Sequence, residues 1–251
     1  MKATVRLILA NVAVFALLKL LWVCLSAGNP AMEQALAWLA LPSQPSEVAF
    51  VPWTAVTYMF THIDFWHLLI NCLWLGWFGC MFAEIAGMRM MAATYFAGGL
   101  TGAVAYVCVS AWLWPGTDAC LLGASAATLA VVTATLIAEP GKRVQFAFIG
   151  AFSLRKLAVA GAVVFLLASM EMAPQQTVAH AGGIAAGAFS ALLWKVVTRK
   201  NMRVMQQLTR RRLDRIELMD KAKRSGYASL TDDERLRLFN LSAGHPDTER
   251  L

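Results

Sequence analysis

The sequence predicts an all-α polytopic membrane protein, a bundle of six transmembrane helices followed by a cytoplasmic helical tail, and three observations carry that prediction. The first is composition. Of 251 residues, 59% are hydrophobic and 15% charged, with a mean hydropathy of +0.57, whereas an ordinary globular domain is about 25% charged. The second is crowding of charge at one end, since residues 199–251 hold 13 of the 22 basic and 8 of the 15 acidic residues. The nine and seven left in the first 198 positions are too few to coat a water-exposed surface, so lipid must solvate that part. The third is the placement of Lys and Arg, which occupy every second connection between apolar segments and are missing from the others.

Apolar stretches long enough to cross a hydrocarbon core of about 30 Å, which takes about 20 helical residues, fall near 7–27, 65–83, 90–113, 119–138, 157–173 and 176–198. Helix is the expected conformation because a segment in lipid must satisfy its own backbone groups. The first stretch is read as a retained helix, since its apolar region exceeds the about 7–15 residues of a cleaved leader; Lys19 within it is read as snorkelling to the outer interface. The fifth is the weakest, because Arg155 and Lys156 interrupt the apolar run that starts at Val144. With six spans, Lys2, Arg6, Arg89, Lys142, Arg143, Arg155, Lys156, Arg199 and Lys200 all lie on one side. By the positive-inside rule both termini are cytoplasmic. The expected division is a membrane domain over 1–200 and a charged helix-turn-helix tail over 201–251. In the tail, Ser225-Gly226 is a stop, and Thr231-Asp-Asp-Glu234 fits a capping box.

The informative residues are the polar ones that lipid should exclude. His67 and Asn71 lie about 5 and 10 Å below the outer surface, Ser125 about 10 Å and His180 about 9 Å, counting helical rise from Asp64, Asp118 and Pro174. Four polar side chains on three helices thus converge on one layer. Singly, each also has a bland reading: Ser125 in a small-residue run suits close packing and bonding to its own i−4 carbonyl, His180 beside Gly182, Gly183 and Gly187 suits a packing role, and His67 and Asn71, four apart on one face, suit a bridge between helices. Jointly they suffice for acyl transfer. A serine hydroxyl needs a base within hydrogen-bond reach, a neutral imidazole serves near pH 7, and Asn and His donors stabilise a developing oxyanion. No aspartate lies at this depth on the other helices, which leaves a dyad. There is no HExxH motif, no pair of intramembrane aspartates and no lysine near Ser125; the five cysteines imply neither disulfides nor a metal site.

These pieces resemble the rhomboid family of intramembrane serine proteases: His62-Ile-Asp-Phe-Trp-His67-Leu-Leu-Ile-Asn71 on the second helix, Gly123-Ala-Ser125-Ala at the start of the fourth, and Ala179-His180-Ala-Gly-Gly183 followed by Gly187 on the sixth. The resemblance spans about 55–190 and implies the six-helix fold. It implies Ser125 as nucleophile and His180 as general base, with His67, Asn71 and the Ser125 N–H lining the oxyanion hole. Gly123 would keep the approach to Ser125 open, Gly183 and Gly187 would let the sixth helix pack on the fourth, and His62 would be an outer-end structural or water-site residue. Four features depart from the family pattern: Ala126 follows the serine where many members have Gly, Leu129 stands where an aromatic often supports the histidine, the first outer loop lacks a Trp-Arg pair, and the glutamate expected at the inner end of the second helix comes one residue late, as Glu84.

The implied activity is cleavage of single-pass transmembrane helices near the outer leaflet, in a membrane of the bacterial inner type. The expected partners are transmembrane-helix protein substrates and membrane lipids, with no nucleic acid, no metal and no cofactor. A catalytically silent adaptor that binds transmembrane helices is the alternative; a small-solute channel is weakened by the lack of an internal repeat.

Overall fold

An apolar chain with few charges must close its backbone hydrogen bonds internally, and the described residues are mostly helical. The computed structural model describes residues 2–25, 30–141, 143–146, 150–156, 159–160, 163 and 174–243. Two units make up the chain, Met1–Trp194 and Lys195–Leu251. In chain order the helices with described bounds are α1 (Lys2–Leu25), α2 (Pro30–Ala37), α3 (Pro45–Val48), α4 (Thr54–Thr57), α5 (Phe65–Ala86), α6 (Met88–Leu113), α7 (Ser125–Ala138), α8 (Pro174–Ser225) and α9 (Asp232–Ala243), with 3-10 turns at Tyr58–Phe60 and Tyr227–Ser229. The residues of α8 up to Trp194 belong to the first unit and the rest to the second.

Four of these helices contain stretches long and apolar enough to cross a membrane: Ala3–Leu25, Phe65–Ala86, Met88–Leu113 and Pro174–Ser225. Of the expected fifth span over 157–173, all but 159–160 and 163 lie outside the described residues. The expected fourth span over 119–138 is helical only from Ser125, which makes it about 21 Å long at 1.5 Å per residue. Its first part is not helix because Gly123 takes φ +104°, a conformation that breaks the ladder. Counting helical rise from Asp118 therefore does not give the depth of Ser125. In α1 the Lys19 ammonium lies over the Phe15 ring, 5.4 Å from its centroid, a cation–π contact one turn back along the helix.

α7 is the central helix of the first unit and packs on α5 and α6. Its residues 125–132, Ala134 and Thr135 are buried, with alanines at the closest approaches of the neighbouring helices. The Thr135 hydroxyl bonds the Val131 carbonyl at 2.7 Å, which satisfies a polar group at no cost to the packing. On the adjoining face, Tyr58, Tyr95 and Tyr106 are among the largest fully buried side chains. The Tyr58 hydroxyl donates to the Gly99 carbonyl at 2.7 Å, tying the 3-10 turn to α6.

Two antiparallel pairs of short strands, which the sequence reading did not anticipate, add to the helices. β1 (Leu41–Pro42) pairs with β2 (Cys120–Leu121), Leu41 opposite Leu121 and Pro42 opposite Cys120. β3 (Arg143–Phe146) pairs with β4 (Gly150–Ser153), so the apolar run from Val144 begins as strand, in keeping with its valine and phenylalanines. The first pair ties the segment after α2 to the segment before α7. Around it the Ser43 hydroxyl donates to the Thr117 carbonyl at 2.7 Å and the Gln44 amide to the Trp114 carbonyl at 3.3 Å. The Trp38 and Trp53 rings stack at 5.1 Å, and the Trp53 indole N–H donates to the Trp38 carbonyl.

In the second unit the expected punctuation is present. α8 stops at Ser225, and Gly226 follows at φ +81°. The Thr231 N–H donates to the Glu234 carboxylate at 2.8 Å while the Glu234 N–H donates to the Thr231 hydroxyl at 3.3 Å, the reciprocal pair of a capping box. Lys221 bonds both carboxylate oxygens of Glu234. The Lys221 hydrogen bond first, and the Thr231 amide second, lower the Glu234 pKa. A carboxylate whose folded pKa is depressed adds stability that is present above its unfolded value of about 4.3 and lost as pH falls through the folded value. Acidification through that window is expected to speed hydrogen exchange of the first α9 amides, after correction for intrinsic rate. Unchanged protection would show that the cap does not depend on the charge.

Candidate active site

Ser125 and His180 are 55 positions apart, and the fold puts them in contact. The His180 Nε2 lies 2.8 Å from the Ser125 Oγ, with both residues buried, 2% and 5% exposed. Ser125 is the first residue of α7, behind the Gly123 turn. A turn with φ of +104° is open to glycine and strained for other residues, and space restricts it further: a Cβ at Gly123 would stand 2.5 Å from the His67 Cε1 and 2.9 Å from its Nε2. Gly123 therefore leaves room for the His67 ring beside the serine turn.

His67 and Asn71 lie one turn apart on α5. Asp64 caps that helix by accepting the His67 N–H at 2.9 Å. The Asn71 amide donates one N–H to the His67 carbonyl at 2.9 Å, and Asn71 is 4% exposed. An amide nitrogen carries two hydrogens, and this bond uses one of them. The His67 ring meets the His62 ring edge-on, centroids 5.1 Å apart at 69°. His62 is 1% exposed, and its Nε2 accepts the Ala124 N–H at 3.2 Å.

Backbone approach brings His180 to the serine. A Cβ at Gly183 would fall inside van der Waals contact of the Ala126 carbonyl oxygen, and one at Gly187 would do the same at Ala130. α8 thus lies on α7 main chain against main chain, the arrangement small residues permit in lipid. α6 completes the contact: a Cβ at Gly102 would come within 2.7 Å of the Ala126 Cβ and 2.9 Å of the Ala179 oxygen, and a Cβ at Gly98 would strike the Ala130 Cβ. Gly98 and Gly102 were missed in the sequence reading, although their spacing of four in an apolar helix is a signal for close packing.

All eight residues singled out from the sequence therefore have a place. Ser125 meets His180, His67 flanks Gly123 and shares its helix with Asn71, Gly183 and Gly187 seat α8 on α7, and His62 accepts the N–H of Ala124 in the turn before the serine. The set can deprotonate a hydroxyl and offer N–H groups near it. Compared with protein families, the chain matches the Rhomboid domain over residues 49–196. No curated protein matches it.

Proposed function

The chain belongs to the rhomboid family of integral membrane proteins, and from that premise we propose that it is an intramembrane serine endopeptidase working through a Ser125–His180 dyad. The observation that carries this reading is the 2.8 Å approach of the His180 Nε2 to the Ser125 Oγ. At that distance the hydroxyl donates its proton to the unprotonated ring nitrogen as Oγ attacks a peptide carbonyl. The Ser125 N–H, the His67 ring and the Asn71 amide receive the negative charge on the carbonyl oxygen. The imidazolium returns the proton to the leaving amine, and water, deprotonated by the same ring, releases the acyl group from the serine. Every proton that His180 takes is given back within the cycle.

Substrates in this proposal are single-pass transmembrane helices cut near the outer leaflet. A helix hides its carbonyls in its own hydrogen bonds, so a segment must unwind before Oγ can reach one, and selection falls on small or helix-breaking residues. The same reading gives six spans with both termini cytoplasmic and a bacterial inner-membrane location, supported by the segregation of Lys and Arg. Labelling of the detergent-solubilised protein by a fluorophosphonate tests it: the activated serine reacts, whereas a silent adaptor of this family would not.

Asn71→Ala separates an oxyanion donor from a packing residue. Losing one such donor typically costs about 10²–10³ in rate while nucleophile and base survive, so cleavage of a single-pass substrate should fall by that factor without vanishing. A rate unchanged within error would reduce Asn71 to a bridge on its own helix.

A further inference from the structure

Two consecutive amides hold the turn that delivers Ser125. The Gly123 N–H donates to the Tyr58 carbonyl at 2.9 Å, and the Ala124 N–H donates to the His62 Nε2 at 3.2 Å. Both acceptors come from the short stretch 58–62, whose Tyr58 is tied in turn to α6 through the Gly99 carbonyl. An amide bonded backwards in this way cannot face a reacting carbonyl. The next one, the Ser125 N–H, opens α7 and has no carbonyl one turn back within the helix. It is thus the first amide of the turn free to point at an oxyanion, and its direction is set by the peptide before it.

We propose that His62 is a positioning residue for the proposed acyl transfer: its Nε2 lone pair fixes the Ala124 peptide and so aims the Ser125 N–H and Oγ. This deepens the reading of Ser125 as nucleophile and rests on it. Accepting a hydrogen bond at Nε2 requires the neutral ring with its proton on Nδ1. Burial, and then His67 beside it, push the His62 imidazole down to about 4, so the lone pair persists at neutral pH. The ring does a second thing in the same place. Its edge-on contact with His67 backs the ring that lies against Gly123, so one side chain sets both the backbone donor and an imidazole of the oxyanion site.

The test compares His62→Leu, which keeps bulk and loses the acceptor, with His62→Gln, whose side-chain carbonyl reaches the Nε2 position. Both are made in the full chain and assayed in detergent for fluorophosphonate labelling rate and for kcat and KM on a single-pass substrate. His62→Leu should lower labelling and kcat by about 10–10²-fold, the scale of a small misplacement of reacting groups, with KM held. His62→Gln should recover most of that loss. In the Ser125→Ala background, exchange of the Ala124 amide should quicken with leucine and stay slow with glutamine, a readout that needs no activity. Leucine labelling at the wild-type rate, or leucine and glutamine falling equally, overturns the proposal. If the leucine variant does not fold, a glutamine variant below a tenth of wild-type kcat overturns it as well. A wild-type chain that does not label at all is a different failure, which removes the nucleophile and the positioning role with it.

Discussion

Ser125→Ala is expected to give a folded protein that neither reacts with a fluorophosphonate nor cuts a single-pass substrate. The substitution deletes one oxygen at a residue whose neighbours on α7 are already alanines, so packing is untouched. What it leaves is a buried His180 Nε2 without its hydroxyl, a cost of about 1–3 kcal/mol. Thermal unfolding should therefore stay cooperative with a modest shift. Activity is another matter, because the covalent route is closed: removal of a serine nucleophile in a serine protease costs about 10⁶ in kcat. Cleavage that persists in this variant would sink the dyad and send the search to another nucleophile.

Gly183→Ala should lower activity by a wholly different route. The added methyl has no room, since it would meet the Ala126 carbonyl oxygen inside van der Waals contact, with the carbonyl carbon at 2.8 Å and Cα at 2.9 Å. No side chain there can rotate out of the way, because the obstacle is main chain. α8 must move off α7, and His180, three residues before the glycine, moves with it. Overpacking of this kind costs about 1–3 kcal/mol and at times more. An outward shift of about 1 Å in the ring is enough to lose about 10² in rate. Fluorophosphonate labelling and thermal unfolding, measured together, should both fall. A variant with wild-type labelling would mean that His180 is not carried by this contact.

How much of this was legible beforehand depends on the kind of signal. The candidate site residues stood out because polar side chains in apolar runs are expensive; Ser125, His180, His67 and Asn71 were singled out by their joint occurrence on three apolar segments, and the roles of the glycines came with the family pattern. The tail was legible because a capping box and a Ser-Gly stop are local chemistry. The strand pair between residues 41–42 and 120–121 was not, since two residues matched across some eighty positions leave no periodicity, and one of them is a proline. The helical start of α7 at Ser125 was misplaced because apolar composition cannot tell a buried turn from a span, whereas Gly123 could have marked it. The hydrogen bond from Ala124 to His62 has no signature in sequence at all, because its donor is a backbone amide that every residue but proline carries.

The main-chain contact between α7 and α8 also has a genetic consequence. A clash between two side chains can be relieved by trimming the second, and such pairs give rise to suppressors. At Gly183 and Gly187 the partner is a carbonyl group of residue 126 or 130, and no codon change removes a carbonyl. Selection for restored activity starting from Gly183→Ala should therefore return true revertants at that codon and few compensating changes on α7, so the two helices are bound to inherit these glycines together.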